Sequence, residues 1–212
     1  MAGHGRTERG AHVKRPAVFI DRDGTINEQM GYINHPGRFV LLPGTARAIK
    51  MLKDSDRLVI VVSNQSGVAR GYFPIQLVHD VHRMMTDLLA REDTGVDGVY
   101  FCPHHPGGTV DEYRKSCECR KPATGLIQAA KAQFRIDMSG SYVIGDRLSD
   151  MELAERCGLR GILVKTGYGA GEIQYLLPTS SVTPWRIAEN LLDAARVIVR
   201  EAGQAGRPES AV

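Results

Sequence analysis

The sequence predicts one doubly wound α/β domain built on a mainly parallel sheet. Three observations carry the prediction. Short, nearly continuous apolar runs alternate with helical patterns, the arrangement of a parallel sheet covered on both faces. The runs end in polar, acid- or glycine-bearing segments, and no second block of composition interrupts the series.

In chain order, Ala17 to Ile20 is a four-residue apolar run and gives the first strand. A helical pattern follows from Thr45 to Lys53. Leu58 to Val62 is almost wholly β-branched and gives the second strand. From Pro74 to Arg91 the pattern is strongest. Leu77, Val78, Val81, Met84, Met85, Leu88 and Leu89 make one apolar stripe, with Pro74 near the first turn. Val99 to Phe101 gives a third strand, then Thr124 to Phe134 a helix. Tyr142 to Ile144 and Gly161 to Val164 are the last strands, separated by a helix over Ser149 to Cys157. A final helix is expected over Pro184 to Glu201. Residues 1–15 and the Gly/Pro/Glu/Ser-containing stretch 203–212 read as flexible tails around a single domain, 16–202.

Bulk composition narrows the function classes. The chain has 212 residues, 42% hydrophobic and 24% charged, ordinary values for a globular domain. Its 27 basic against 24 acidic residues leave a net charge of +3, too slight for a nucleic-acid-binding surface. Met1 to Pro16 lacks the apolar core of a secretory signal, and no apolar run approaches bilayer length. A cytoplasmic protein without nucleic-acid or membrane partners is expected, and a monomer. Its four cysteines then read as thiols or metal ligands.

In a doubly wound sheet the ligand site lies beyond the carboxyl ends of the strands. There the first strand delivers Asp21-Arg22-Asp23-Gly24-Thr25. Side chains two apart on an extended backbone face one way, and two such acids resist joint ionisation unless a cation lies between them. The pair suits metal-assisted attack on phosphorus, with one Asp as nucleophile and the other as proton shuttle. A calcium loop would need further acids and a closing Glu, and residues 25–32 supply only Glu28. The second strand ends in Ser63-Asn64-Gln65-Ser66-Gly67, the fourth in Gly145-Asp146-Arg147-Leu148-Ser149-Asp150. Arg120-Lys121-Pro122 precedes the helix near Thr124. A hydroxyl, a cation and further carboxylates complete the parts that phosphoryl transfer needs.

A second constellation is Cys102-Pro103-His104-His105 followed by Cys117-Glu118-Cys119. Three thiols and one imidazole match a closed tetrahedral zinc site, which has no position for a reactive water and is structural. His104 is taken as the imidazole, with His105 the alternative; free thiols or a disulfide remain the competing reading. Such a clamp would fix Arg120 and Lys121, which follow Cys119 directly. His79 and His82, three apart on the long helix without an acid partner, read as surface residues. His35 is placed at the border of the pocket.

The four strand-end motifs, in this order over Ala17 to Val164, resemble the haloacid dehalogenase superfamily of phosphatases. The resemblance implies Asp21 as the nucleophile that becomes an aspartyl-phosphate and Asp23 as acid and base. Ser63 would hold the phosphoryl oxygens and Lys121 neutralise charge. Mg²⁺ would lie on the Asp21 carboxylate, the Asp23 carbonyl and Asp146, with Asp150 as outer support. No insertion is large enough for a big cap domain.

The zinc loop, Gly31-Tyr32 and Ser63 to Gly71 together resemble one branch, the heptose 1,7-bisphosphate 7-phosphatases of nucleotide-activated heptose synthesis. That implies a sugar bisphosphate substrate contacted by Gln29, Met30, Gly31, Tyr32, Ser63, Asn64, Gln65 and Ser66. Arg120, Lys121 and Arg147 would complete the substrate contacts. Ser63 stands where many members carry Thr, and Arg147 where Lys is frequent; the second exchange keeps charge but not shape. The related histidinol-phosphate phosphatases share the acids and a similar zinc loop. They are the alternative, although an amino alcohol does not call for Arg120 and Arg147.

Overall fold

The computed structural model describes residues 13–205. Within them, β1 (Arg15–Ile20), β2 (Leu58–Asn64), β3 (Gly98–Cys102), β4 (Ile136–Gly145), β5 (Arg160–Val164) and β6 (Arg186–Ala188) form one six-stranded sheet. Its order is β3-β2-β1-β4-β5-β6, and every pairing is parallel. The helices are α1 (Thr45–Asp54), α2 (Ile75–Ala90), α3 (Gly125–Gln133), α4 (Leu148–Arg156), the single turn α5 (Gly169–Gly171) and α6 (Leu191–Ala205).

The period-two alternation of the central strands builds two cores at once. Val18 and Ile20 of β1, Val59 and Val61 of β2, and Tyr142 and Ile144 of β4 face one layer with residues of α1, α2 and α6. Ala17, Phe19, Ile60, Val62 and Val143 face the other, against Leu126, Ile127 and Ala130 of α3 and Leu153 and Ala154 of α4. Strands buried on both sides explain why the sequence shows apolar runs rather than alternation. The order reverses between β1 and β4, which opens a crevice at their carboxyl ends.

The expected helix over 184–201 divides. Arg186–Ala188 is the edge strand β6, registered on Ile162 to Val164, and α6 begins only at Leu191. The reason is local: the Asn190 side chain accepts the Asp193 backbone N–H at 3.0 Å, a helix-capping bond that starts the helix there. Ser149 to Cys157 and Thr45 to Lys53 match α4 and α1 within one or two residues. β4 is longer than expected, reaching back to Ile136 through a register shift opposite Pro16 and Val18. Most of the expected tails, 1–15 and 203–212, lies outside the described residues. Arg15 already belongs to β1, and α6 reaches Ala205.

Among the described residues no cap domain interrupts the sheet. The segment between β1 and α1 holds only one 3₁₀ turn, Pro36–Arg38, and isolated bridges joining Asn27 to Asp23 and Leu41.

Candidate active site

A cavity of about 450 Å³ opens at the carboxyl ends of β1, β2 and β4. Asp21, Asp23, Gln29, Gly31, Tyr32, Ser63, Asn64, Gln65, Ser66, Arg120, Lys121 and Arg147 line it, so four separated sequence motifs meet in one cleft. Met30 does not line it; its sulfur is 3.9 Å from Arg38 Nη2. His35 does not border it either. Its Nδ1 accepts the Gly37 N–H and caps the 3₁₀ turn.

Lys121 is the hub. Its buried ammonium has three N–H donors and meets three acceptors: Asp21 Oδ1 at 2.6 Å, Asp150 Oδ1 at 2.7 Å and the Val62 carbonyl at 2.9 Å. Burial alone would lower the Lys121 pKa, but the two carboxylates push it well above its usual value. Asn64 holds the lysine in place: its amide donates to the Lys121 carbonyl at 3.1 Å and accepts the Lys121 N–H at 3.0 Å. Both ends of this cleft-lining amide are therefore engaged by the protein.

Asp21, Asp146 and Asp150 converge, with one oxygen of each within 4.8 Å of the others. All three are buried, and Lys121 is the cation that pairs with two of them. Burial, then repulsion from Asp21 and Asp150, raises Asp146 to about 8. Burial also raises Asp21, to about 6 against the pull of Lys121. Asp146 Oδ2 accepts the Tyr168 N–H at 2.8 Å, whereas its buried Oδ1 has no hydrogen-bond partner. A carboxylate trio with an orphaned oxygen fits a hard divalent cation held by oxygen ligands.

Asp23 is held differently. Arg22 Nη2 donates to its two oxygens at 2.9 and 2.7 Å, with Asn27 Nδ2 at 3.0 Å and Gln65 Nε2 at 2.7 Å. Burial by itself would raise the Asp23 carboxyl; the Arg22 charge and the Asn27, Arg22 and Gln65 hydrogen bonds bring it below the ordinary range. Gln65 Nε2 also donates to Ser63 Oγ at 2.8 Å, joining the hydroxyl to the second acid.

The residues that sequence reasoning missed are Arg22, Ile33, Arg70, Ser149 and Tyr168, all of which line the cleft. Arg22 was visible inside the Asp-Arg-Asp motif, but alternation points it away from its two neighbours. The fold buries it at 2% exposure instead of releasing it to solvent. His82 corrects the surface reading: it is buried, with Nε2 3.0 Å from Arg22 Nη1. Its position was legible, since 82 falls on the same stripe as Val78, Val81, Met85 and Leu89, the other buried residues of α2.

Cys102 at the end of β3 and Cys117, Cys119 and His104 in the following loop bring four donor atoms within 4.8 Å of one another. The Cys117–Cys119 sulfurs are 3.2 Å apart, Cys102–Cys117 3.5 Å, and His104 Nδ1 is 3.3 Å from Cys119 Sγ. All four cysteines are free, and the set could hold zinc. His105 points elsewhere, its Nε2 3.1 Å from Arg70 Nη2. Between the histidines the geometry therefore selects His104.

Comparison with known proteins places this geometry. The HAD-hydrolase-like family model matches residues 118–194. D-glycero-beta-D-manno-heptose-1,7-bisphosphate 7-phosphatase of Escherichia coli K12 is 42% identical over 153 residues, 72% of this chain and 80% of that protein. D-glycero-D-manno-heptose-1,7-bisphosphate 7-phosphatase of Thermosynechococcus vestitus is 41% identical over 188 residues, 87% of this chain and 95% of the relative. The chain belongs to the heptose-bisphosphate phosphatase family of HAD-like hydrolases. Another member, D,D-heptose 1.7-bisphosphate phosphatase from B. bronchiseptica, was crystallised with magnesium and phosphate. It superposes with a TM-score of 0.77 at 30% identity, covering 88% of this chain and 99% of that one. Membership makes the chain a phosphatase by class and matches the parallel sheet without a large cap. No helix among the described residues is long and apolar enough to cross a membrane.

Proposed function

We propose that the protein removes the 7-phosphate of D-glycero-D-manno-heptose 1,7-bisphosphate through an aspartyl-phosphate on Asp21. The observation that carries the substrate class is the charge of the cleft. Lys121 pairs with Asp21 and Asp150, and Arg22 with Asp23. Arg70, Arg120 and Arg147 also line the cavity, and none of them forms an ion pair among the described residues. Three uncompensated guanidinium groups suit a substrate with a second phosphate and disfavour a cationic amino alcohol.

In this reading Asp21 attacks phosphorus, and Lys121 holds its carboxylate while offsetting the phosphoryl charge. Ser63 Oγ, fixed by Gln65, donates to a phosphoryl oxygen. Asp23, ionised in the free protein, must take up a proton as the phosphate dianion binds; it gives that proton to the departing C7 oxygen and takes one from the water that opens the acyl phosphate. Asp21, the Asp23 carbonyl and Asp146 would hold Mg²⁺, with Asp150 tied to Lys121 beside them; the ion supplies charge neutralisation. Gln29, Gly31 and Tyr32, with Asn64, Gln65 and Ser66, form the sugar side, whereas Met30, expected among the substrate contacts, stands outside the cleft. Arg120, Lys121 and Arg147 take the phosphates. Gln29 is braced at its Oε1 by the Gly31 N–H at 2.9 Å, and Tyr32 packs edge-on against Tyr72 at 4.7 Å. Zinc on Cys102, His104, Cys117 and Cys119 would be structural and would anchor the Arg120-Lys121 segment. The proposal includes a cytoplasmic setting, which suits four free thiols, and a monomeric state.

The test is Mg²⁺-dependent phosphate release from both anomers of heptose 1,7-bisphosphate and from histidinol phosphate. A large kcat/KM advantage for one heptose anomer is expected. A preference for histidinol phosphate would keep the chemistry and overturn the substrate.

A further inference from the structure

His82 stands on α2 and does not line the cleft, yet it is buried and 3.0 Å from the guanidinium of Arg22. Arginine offers only donors, so His82 Nε2 accepts and the ring proton lies on Nδ1. Burial and the Arg22 charge keep the imidazole neutral, its pKa lowered to about 3. The Phe101 ring packs edge-on at 5.3 Å and fixes the plane of the imidazole. On its opposite side Arg22 grips Asp23 through Nε at 3.3 Å and through Nη2 at 2.9 and 2.7 Å. Arg22 is thus a planar bracket between a carboxylate in the cleft and an imidazole in the core.

A guanidinium bonded only on its Asp23 side could pivot about that fork, leaving the Asn27 and Gln65 amides alone to fix the direction of the carboxylate. The acceptor at Nη1 removes this freedom. An apolar side chain of similar volume would fill the space but leave Nη1 buried without a partner. We infer that His82 is a positioning residue for Asp23, acting through Arg22 to fix the direction in which the carboxyl group faces the leaving group. The inference rests on the proposed reading of Asp23 as general acid. In that step the P–O bond to the sugar breaks while the Asp23 proton passes to the sugar oxygen, so the acid must lie within hydrogen-bond reach of that oxygen.

The leaving group separates positioning from mere folding. A sugar alkoxide needs the proton, whereas p-nitrophenolate leaves without it. The experiment measures kcat/KM of wild type, His82→Leu and His82→Gln on heptose 1,7-bisphosphate and on p-nitrophenyl phosphate. His82→Leu is expected to lose roughly tenfold or more on the sugar phosphate, a fraction of what general acid catalysis contributes, and much less on the aryl phosphate. His82→Gln keeps an acceptor at the same reach and should recover most of the loss. If His82→Leu does not fold, Arg22→Lys carries the same contrast, since lysine keeps the charge but loses the fork. Equal losses on both substrates in the folded variants would overturn the inference while leaving the phosphatase reading intact. A wild-type enzyme releasing phosphate from neither substrate would remove both.

Discussion

Gly24 and Asp146 lie so close that a methyl group on Gly24 would overlap Asp146 Oδ2. Gly24 also sits at φ +89°, a conformation that disfavours any side chain. Gly167 at φ +60° presses on the same oxygen from the β5 side. The Asp146 carboxylate is therefore seated in a slot made by two glycines. Gly24→Ala is expected to displace it and raise the Mg²⁺ concentration for half-maximal activity by roughly 10- to 100-fold. An unchanged Mg²⁺ titration would show that the slot does not set the metal site.

In the metal-free protein the stability contributed by the Asp146 and Asp21 carboxyls should fall as pH rises from about 4 to about 8, against an opposite contribution from His82 below about 6.5. The Asp146 carboxyl is raised from 3.8 to about 8, by burial first and then by Asp21 and Asp150. The folded state thus keeps a proton that the unfolded chain has released, and stability falls as pH climbs through the folded value. Asp21, raised to about 6, adds to the lower part of that window. Mg²⁺ replaces these protons, so its effect on Tm should be larger at pH 8 than at pH 5. A Tm increment that is equal or larger at pH 5 would contradict the assignment of the cation to this trio.

His104→Ala should purify with less than one zinc per chain, and His105→Ala with a full equivalent, as read by metal analysis. The sulfur–sulfur distances of 3.2 and 3.5 Å and the His104 contact at 3.3 Å place His104 within the donor set. Loss of zinc should lower Tm and reduce kcat/KM together, because the loop carries Arg120 and Lys121. Equal zinc retention in the two variants would exclude the site as drawn.

Much of this site was readable from the chain because parallel strands deliver their last residues to one edge. Asp21 and Asp23, Ser63 to Ser66 and Asp146 to Asp150 each follow an apolar run, and knowing the runs was enough to bring them together. The convergence of Cys102, His104, Cys117 and Cys119 was readable because thiols in paired spacing have few alternative uses in a reducing setting. What stayed hidden is side-chain direction within a motif. Arg22 and His82 point at each other across elements 60 positions apart in sequence, and periodicity places a residue on a face without naming its partner. The edge strand Arg186–Ala188 was hidden because three residues are too few to show alternation, although Asn190 and Asp193 marked where the helix starts.

Arg147→Lys should raise KM for the bisphosphate and leave kcat nearly unchanged. The Arg147 guanidinium lies 3.9 Å over the Tyr168 ring, a planar stack that lysine cannot reproduce. Without the stack the charge at position 147 must be ordered as the phosphate binds, at a cost of roughly 1 kcal/mol, or about fivefold in KM. A monophosphate substrate should show a smaller change. A fall in kcat with KM unchanged would place Arg147 with the transition state and not with substrate anchoring.

In the proposed reaction Asp21 carries the phosphoryl group while Lys121, 2.6 Å away, holds it in line. Acid quenching of the wild-type enzyme during turnover, followed by peptide mass analysis, tests it most directly, with Asp21→Asn as the partner measurement. A phosphorylated peptide containing Asp21 is expected, and a folded Asp21→Asn variant that releases no phosphate. Phosphate release by Asp21→Asn at a rate near that of wild type would contradict it.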